Sequence, residues 1–383
     1  MGEKNFVCPR CGNHDPRYLG IKNGKQYCRR CISFLGEKAP PSSVVPTKAP
    51  LILHYPLSEE QKRISEKIQE NYLIGIDTLV YAVCGAGKTE LSYGVIALAL
   101  RRGKQVGFAL PRRDVVIELY WRIKEAFPEN KVVAVYGEHT YALSGDIIIL
   151  TTHQLYRYPH YFDLLIMDEI DAFPFKGNET LIAMYKSSLK GPCVMMSATP
   201  SKEIIAEFKK EKHDIVELRT RFHKKPIPVP SFVILPVFLQ KLFLVRKIKQ
   251  FKKEKKPCFI FVSSIAKSRS IFQFIRIFQP NGNYVSSARK GRPDIISDFK
   301  KGKYDYLVTT SVLERGVTIK NLQVIVFGSD EDSVYSSSTL IQIAGRAGRK
   351  MDAPTGEVIF LAKRKNKSME AARHEIEFCN TFL

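Results

Sequence analysis

Two stretches of this chain place polar residues at spacings that suit nucleotide chemistry, and a third suits a metal. The first is Ala82-x-x-Gly85-x-Gly87-Lys88-Thr89, after the β-rich run Asp77–Val83 and before a helical pattern. Glycines there let the backbone N–H groups of Cys84, Gly85, Ala86 and Gly87 turn around phosphate oxygens, and a following helix adds its dipole. Lys88 would reach the β- and γ-phosphates, and the Thr89 hydroxyl would ligate Mg²⁺. The second is Asp168-Glu169-Ile170-Asp171, after the apolar run Leu164–Met167. Carboxylates at the end of a parallel strand face the ligand crevice. Asp168 would hold Mg²⁺ through water, and Glu169 would orient and deprotonate the attacking water. The third is Cys8-x2-Cys11 followed by Cys28-x2-Cys31. This is the spacing of two zinc knuckles, and four thiolates around Zn²⁺ leave no position for water, so the site is expected to be structural. Two disulfides or a redox pair are the alternatives, disfavoured by a cytosolic setting and by the duplication of the motif.

The chain has 383 residues and 44% hydrophobic content, which excludes a disordered chain and allows two or three domains. With 60 Lys and Arg against 38 Asp and Glu, its net charge is +22. Such an excess suits nucleic acid or an anionic membrane face, a basic surface kept for solubility being the plain alternative. No run approaches ~18 apolar residues, and Met1–Asn5 is not a secretory signal, so a cytoplasmic protein is expected, at most peripheral to the inner face of the membrane. In the cysteine module, Arg10, Arg17, Lys22, Lys25, Arg29 and Arg30 interleave with Tyr18 and Tyr27. That mixture suits single-stranded nucleic acid, with protein docking the other reading. Cys84, Cys193, Cys258 and Cys379 lie apart and are expected in apolar strands of the core.

These groups need a scaffold. Further buried strands are predicted at Gln105–Leu110, Val132–Tyr136, Asp146–Thr151 and Cys193–Met196, alternating with helical segments. A second series falls at Cys258–Val262, Tyr304–Thr309, Val324–Phe327 and Glu357–Leu361, with a helix from Ala266 to Phe278. The alternation predicts α/β folding: two tandem RecA-like doubly wound parallel-sheet domains plus a small zinc-ribbon-like module. The expected boundaries are 1–36 for the module, 37–50 for a Pro/Ser linker, 51–218 and 231–383 for the domains, and 219–230 for a connector rich in Lys and Pro. A second Gly-Lys-Thr does not occur, so one nucleotide site is expected.

The order of these motifs resembles superfamily 2 helicases and translocases. Ala82–Thr89, Asp168–Asp171 and Ser197-Ala198-Thr199 resemble motifs I, II and III. Pro111-Arg112-Arg113 resembles motif Ia, and Thr151-Thr152-His153-Gln154 motif Ib. Leu57–Gln61 resembles the Q-type segment, which implies that Gln61 reads adenine. Phe261–Ser264 resembles motif IV and Thr309–Val317 motif V, although Thr318 stands where many members carry Asp. Gln342-x-x-Gly345-Arg346-x-Gly348-Arg349 matches motif VI. By this resemblance Gly316, Arg346 and Arg349 contact the nucleotide, the two arginines stabilising charge on the γ-phosphoryl group through fixed guanidinium forks. Arg112, Arg113, Thr152, Ser263 and Thr310 would then contact the nucleic-acid backbone. ATP, Mg²⁺ and Zn²⁺ are the implied cofactors.

The four-cysteine module, short linker, Asp-Glu-Ile-Asp box and Leu313–Val317 stretch together resemble the ComFA family over nearly the whole chain. That resemblance implies an ATP-dependent single-stranded DNA translocase, with or without helicase activity, driving uptake of transforming DNA in competence. It also implies as partners the DNA-uptake channel and the phosphoribosyltransferase-like product of the same operon, and allows a homo-oligomer. A replication-restart helicase, an RNA helicase and an ATP-gated clamp without motor activity are the alternatives.

Overall fold

The structure, a computed structural model, describes residues 7–34, 36–47, 50–53, 55–171, 175, 177–310 and 319–383. The N-terminal module is made of turns. Strands β1 (Leu19–Lys22) and β2 (Lys25–Cys28) pair antiparallel, with Leu19 opposite Cys28. Asn23 and Gly24 join them at φ 50° and 71°, the two-residue turn whose twist matches that of a hairpin. At the first knuckle the Gly12 N–H donates to the Cys8 carbonyl at 2.9 Å.

Strands β3 (Thr78–Ala82), β4 (Val106–Leu110), β5 (Val132–Val135), β6 (Ile147–Thr151), β7 (Leu164–Asp168), β8 (Cys193–Ser197) and β9 (Asp214–Leu218) form a parallel sheet in the order β5-β6-β4-β7-β8-β3-β9. Every residue of β4 and β6 is buried, the signature of strands covered on both faces. Helices α1 (Glu59–Leu73), α2 (Lys88–Arg101), α3 (Arg113–Ala126), α4 (Glu179–Ser188) and α5 (Lys202–Lys210) intervene. α1 starts at a capping box in which Ser58 and Gln61 each satisfy the other's backbone N–H, at 2.9 and 3.2 Å.

A second parallel sheet comprises β10 (Ser231–Ile234), β11 (Cys258–Phe261), β12 (Gly282–Val285), β13 (Tyr306–Thr309), β14 (Gln323–Phe327) and β15 (Val358–Ala362), in the order β10-β15-β14-β11-β13-β12. Its helices are α6 (Val237–Lys253), α7 (Ile265–Phe278), α8 (Arg292–Lys300), α9 (Ser337–Ala344) and α10 (Lys367–Asn380). The chain divides into two compact units, Met1–Ala82 with Gly87–Leu218, and Arg219–Leu383 with Val83–Ala86.

The fold class read from sequence holds, and each strand named there forms. Strands β9, β10 and β12 were not foreseen, and all three are sheet edges. The four scattered cysteines are buried, but Cys84 lies in the glycine loop and Cys379 in α10 rather than in strands. Among the described residues, no helix is long and apolar enough to cross a membrane.

Candidate active site

The carboxyl ends of three adjacent strands, β7, β8 and β3, carry the nucleotide motifs. Register places Tyr81 beside Ser197, and Asp168 beside Met196. The loop after β3 turns with the Ala86 N–H on the Val83 carbonyl at 3.1 Å. Gly85 and Gly87 have φ of 85° and 80°, a region open to glycine at little cost. At Gly87 a Cβ would also lie 2.6 Å from the Gln61 amide nitrogen, so the Q-type segment packs directly on the loop. Lys88 opens α2, its Nζ 3.4 Å from the Ala82 carbonyl, and Thr89 follows in the same first turn.

Asp168 ends β7, and its Oδ1 accepts the Glu169 N–H at 2.7 Å. Glu169 itself is held at φ 60°, backbone strain of the kind that gathers at functional sites. Asp171 accepts hydrogen bonds from Ser197 Oγ at 2.8 Å and Thr199 Oγ1 at 2.9 Å. The acidic box and the Ser-Ala-Thr stretch are therefore one hydrogen-bonded unit.

The neighbouring strands β4 and β6 carry the stretches resembling motifs Ia and Ib, with β5 beyond them. Leu110 pairs with Thr151 and Val135 with Leu150, so their carboxyl ends lie abreast. Arg112 and the exposed Arg113 leave β4. Thr152 leaves β6 as a buried residue of the short helix Thr152–Arg157. The cysteine module packs against that helix. Phe34 stacks on His153 with centroids 6.1 Å apart, and Arg157 donates to the Glu37 carbonyl at 2.7 Å. Burial lowers the His153 pKa.

All four module cysteines are buried, with their sulfurs within 4.8 Å of one another. Cys8–Cys31 and Cys11–Cys28 are 3.6 and 3.7 Å apart, too long for a disulfide. Tetrahedral thiolates at ~2.3 Å from a zinc ion stand about 3.8 Å apart, so the residues fit that metal. Burial pushes the Cys11 thiol up to about 11 and Cys31 higher still; a bound cation reverses that preference.

In the second unit, Gln342–Arg349 runs from α9 into a tight turn. Gly348 has φ 63°, and a Cβ there would collide with the Pro354 carbonyl. Arg346 is 4% exposed. Arg349 Nε is buried with no hydrogen-bond partner among the described residues, a donor that a phosphoryl oxygen would satisfy. Arg221, only 2% exposed, braces the turn. Its guanidinium donates to the carbonyls of Gly348 at 2.7 Å, Ala347 at 3.1 Å and Gly345 at 3.3 Å. Burial, joined by the like charge of Arg349, lowers the Arg221 pKa to about 10. His223 Nε2 lies 3.1 Å from the same Gly348 carbonyl. At the ends of β11 and β13, Ser263 Oγ accepts from Lys267 Nζ at 2.9 Å, and Thr310 is buried. Gly316 and the rest of 311–318 lie outside the described residues.

Comparison with known proteins decides the family. The DEAD/DEAH box helicase model matches residues 59–208, and the helicase conserved C-terminal domain model matches 238–351. Competence protein ComFA of Bacillus subtilis (strain 168) is 35% identical, over 99% of this chain and 87% of that relative. Competence protein ComFA of Streptococcus pneumoniae (strain ATCC BAA-255 / R6) is 33% identical, over 98% and 90%. The chain belongs to the ComFA family. Among solved structures, S. cerevisiae Dbp5 bound to RNA and ADP BeF3 matches with a TM-score of 0.65 at 16% identity, covering 85% of this chain and 92% of that one. RecG bound to a three-way DNA junction gives 0.60 at 19%, covering 85% and 45%. These share the fold. This ComFA-family chain is thus an ATPase/helicase-type enzyme of superfamily 2.

Two features of this ComFA-family chain escaped the sequence reading. Arg221 and His223 fall in the Lys- and Pro-rich stretch read as a connector, and their contacts lie more than 120 residues away in sequence. Asp171, given no role by the motif, is held by Ser197 and Thr199, whose hydroxyls are the signal for that contact in the sequence.

Proposed function

We propose that this chain is a nucleic-acid-stimulated ATPase that moves along single-stranded DNA during uptake of transforming DNA. One observation carries the reading: on one sheet rim Gly87-Lys88 and the acidic box, at the ends of β3 and β7, share an edge with the two loops resembling nucleic-acid contacts (β4, β6). Changes around the phosphate can then pass to bound nucleic acid through neighbouring strand ends.

In this scheme the backbone N–H groups of Cys84, Gly85, Ala86 and Gly87 cradle phosphate, Lys88 neutralises the β- and γ-oxygens, and Gln61 reads the adenine edge. Thr89 and Asp168 would hold Mg²⁺, whose charge would screen the phosphates. Glu169 takes the proton from the attacking water. Asp171, held by Ser197 and Thr199, ties the acidic box to the Ser-Ala-Thr stretch. Arg346, Arg349 and Gly316 supply second-unit contacts to the nucleotide. Arg112, Arg113, Ser263 and the loops at Thr152 and Thr310 hold the nucleic-acid backbone. Cys8, Cys11, Cys28 and Cys31 would hold zinc, which ties the module's turns together. The curated relatives are named competence proteins, which supports a role in competence; in this scheme the chain acts beside the DNA-uptake channel at the inner membrane face, with the phosphoribosyltransferase-like partner.

The test is ATP turnover with single-stranded DNA, duplex DNA, RNA or no nucleic acid, for the wild type and Lys88→Ala. Single-stranded DNA should raise the rate most, and Lys88→Ala should abolish it. Equal rates throughout would end the proposal; a response to RNA alone would redirect it to RNA.

A further inference from the structure

Beyond the motifs, the sheet rim carries a small aromatic hairpin at the end of β5. Tyr136 and His139 exchange backbone hydrogen bonds at 2.7 and 3.2 Å across the turn Gly137–Glu138. Their rings stack with centroids 4.7 Å apart and planes 9° from parallel. Tyr141 meets the same imidazole edge-on at 4.8 Å. The Arg113 guanidinium lies over the Tyr136 ring at 5.1 Å. Arg113, Tyr136, His139 and Tyr141 thus form one series of contacts that ends in solvent, since Tyr141 is 85% exposed.

The hairpin is fastened on its other flank too. The Gln154 side-chain amide donates to the Gly137 carbonyl at 3.4 Å, joining it to the loop after β6. It therefore stands beside the loops after both β4 and β6. Two features separate its chemistry from theirs. Its turn carries a carboxylate, Glu138, so it is not built to grip phosphate. And a tyrosine so exposed contributes little to folding, while its π-face is open. Rings backed by a cation, beside loops that carry Arg112 and Arg113, suit a planar unpaired base.

We infer that Tyr136, His139 and Tyr141 form a base-stacking platform for single-stranded nucleic acid, with Tyr141 the ring that meets the base. This rests on the nucleic-acid role proposed above and adds a base contact to a backbone grip.

The full-length protein is titrated with a fluorescent oligo-dT and with an abasic strand of the same length, which keeps the phosphates and lacks the bases. The wild type should prefer oligo-dT. Tyr141→Ala should lose about fivefold or more in oligo-dT affinity with the abasic affinity held, and Tyr141→Phe should retain the preference. His139→Ala, which removes the supporting ring, should fall between. Matching thermal unfolding curves guard against a folding defect. If Tyr141→Ala keeps the wild-type ratio, the platform is refuted and the rings serve something other than nucleic acid. If the wild type binds both strands equally well, the backbone grip stands and the platform falls. If it binds neither, the proposed function fails and takes the platform with it.

Discussion

Both α/β units are parallel sheets, yet the acidic box of the first and the arginine turn of the second carry opposite charge. In the first, the rim at β3, β8 and β7 presents Gly87, one lysine and three carboxylates. In the second, the equivalent investment is a turn of arginines after α9. Their bracing differs in kind as well. Hydroxyls of Ser197 and Thr199 hold Asp171, whereas a buried guanidinium, Arg221, holds the carbonyls of the arginine turn. A shared fold has thus not meant a shared site; the chemistry lies in the loops each sheet displays.

The sharpest way to break this contrast is to remove one charge from each unit. Glu169→Gln is expected to cut ATP turnover about a thousandfold through loss of the general base, with nucleotide binding retained in a filter assay. Arg349→Ala should cost a comparable factor, and Arg349→Lys should not rescue it, because a point charge lacks the fork. Turnover surviving Glu169→Gln would take the hydrolytic role away from the first unit's carboxylates.

A smaller effect is expected behind the site. Arg221→Ala leaves the Gly345, Ala347 and Gly348 carbonyls without their buried donor. Losing those bonds should destabilise the second unit by about 2–4 kcal/mol, seen as faster hydrogen exchange in α9 and an earlier denaturant midpoint. The first unit should keep its own exchange pattern. An unchanged α9 would show that the turn holds itself.

Legibility in the sequence follows the same physics. Glycine loop, acidic box and arginine turn were readable because their chemistry demands particular residues at fixed spacing. Inner strands such as Ile147–Thr151 were readable because burial on both faces leaves an unbroken apolar run. The edge strands β9, β10 and β12 are half-exposed; Gly282–Val285 shows no such run, and the apolar Phe232–Ile234 is short and set between Pro230 and Pro236. Arg221 was hidden for another reason. Lys224, Lys225 and three prolines around it give the composition of a connector, and nothing local reports a partner at 345–348. The packing of Phe34 on His153 is likewise a long-range contact with no local pattern. Tyr136-x2-His139-x-Tyr141 was visible, but aromatic spacing alone gave no reason to prefer a surface platform over core.

The cysteine module extends the comparison to a third way of holding structure. Both sheets are kept by apolar burial. The module has two four-residue strands, and among its described residues the buried hydrophobic ones are the four cysteines themselves. Metal should therefore supply most of its folding free energy. Changing Cys8 and Cys11 to Ser should abolish bound zinc, measured by elemental analysis, and raise hydrogen exchange across Val7–Phe34. The sheets do not draw on the metal, so basal turnover should fall only a few-fold, the smallest effect among these variants. The helix Thr152–Arg157 should respond more, since Phe34 on His153 couples it to the module and Arg157 on Glu37 to the linker that follows. Stimulation by single-stranded DNA should accordingly weaken more than the basal rate. Stoichiometric zinc retained in the double variant would refute the four-sulfur site, and sheet unfolding in step with zinc loss would show that the module supports the motor rather than riding on it.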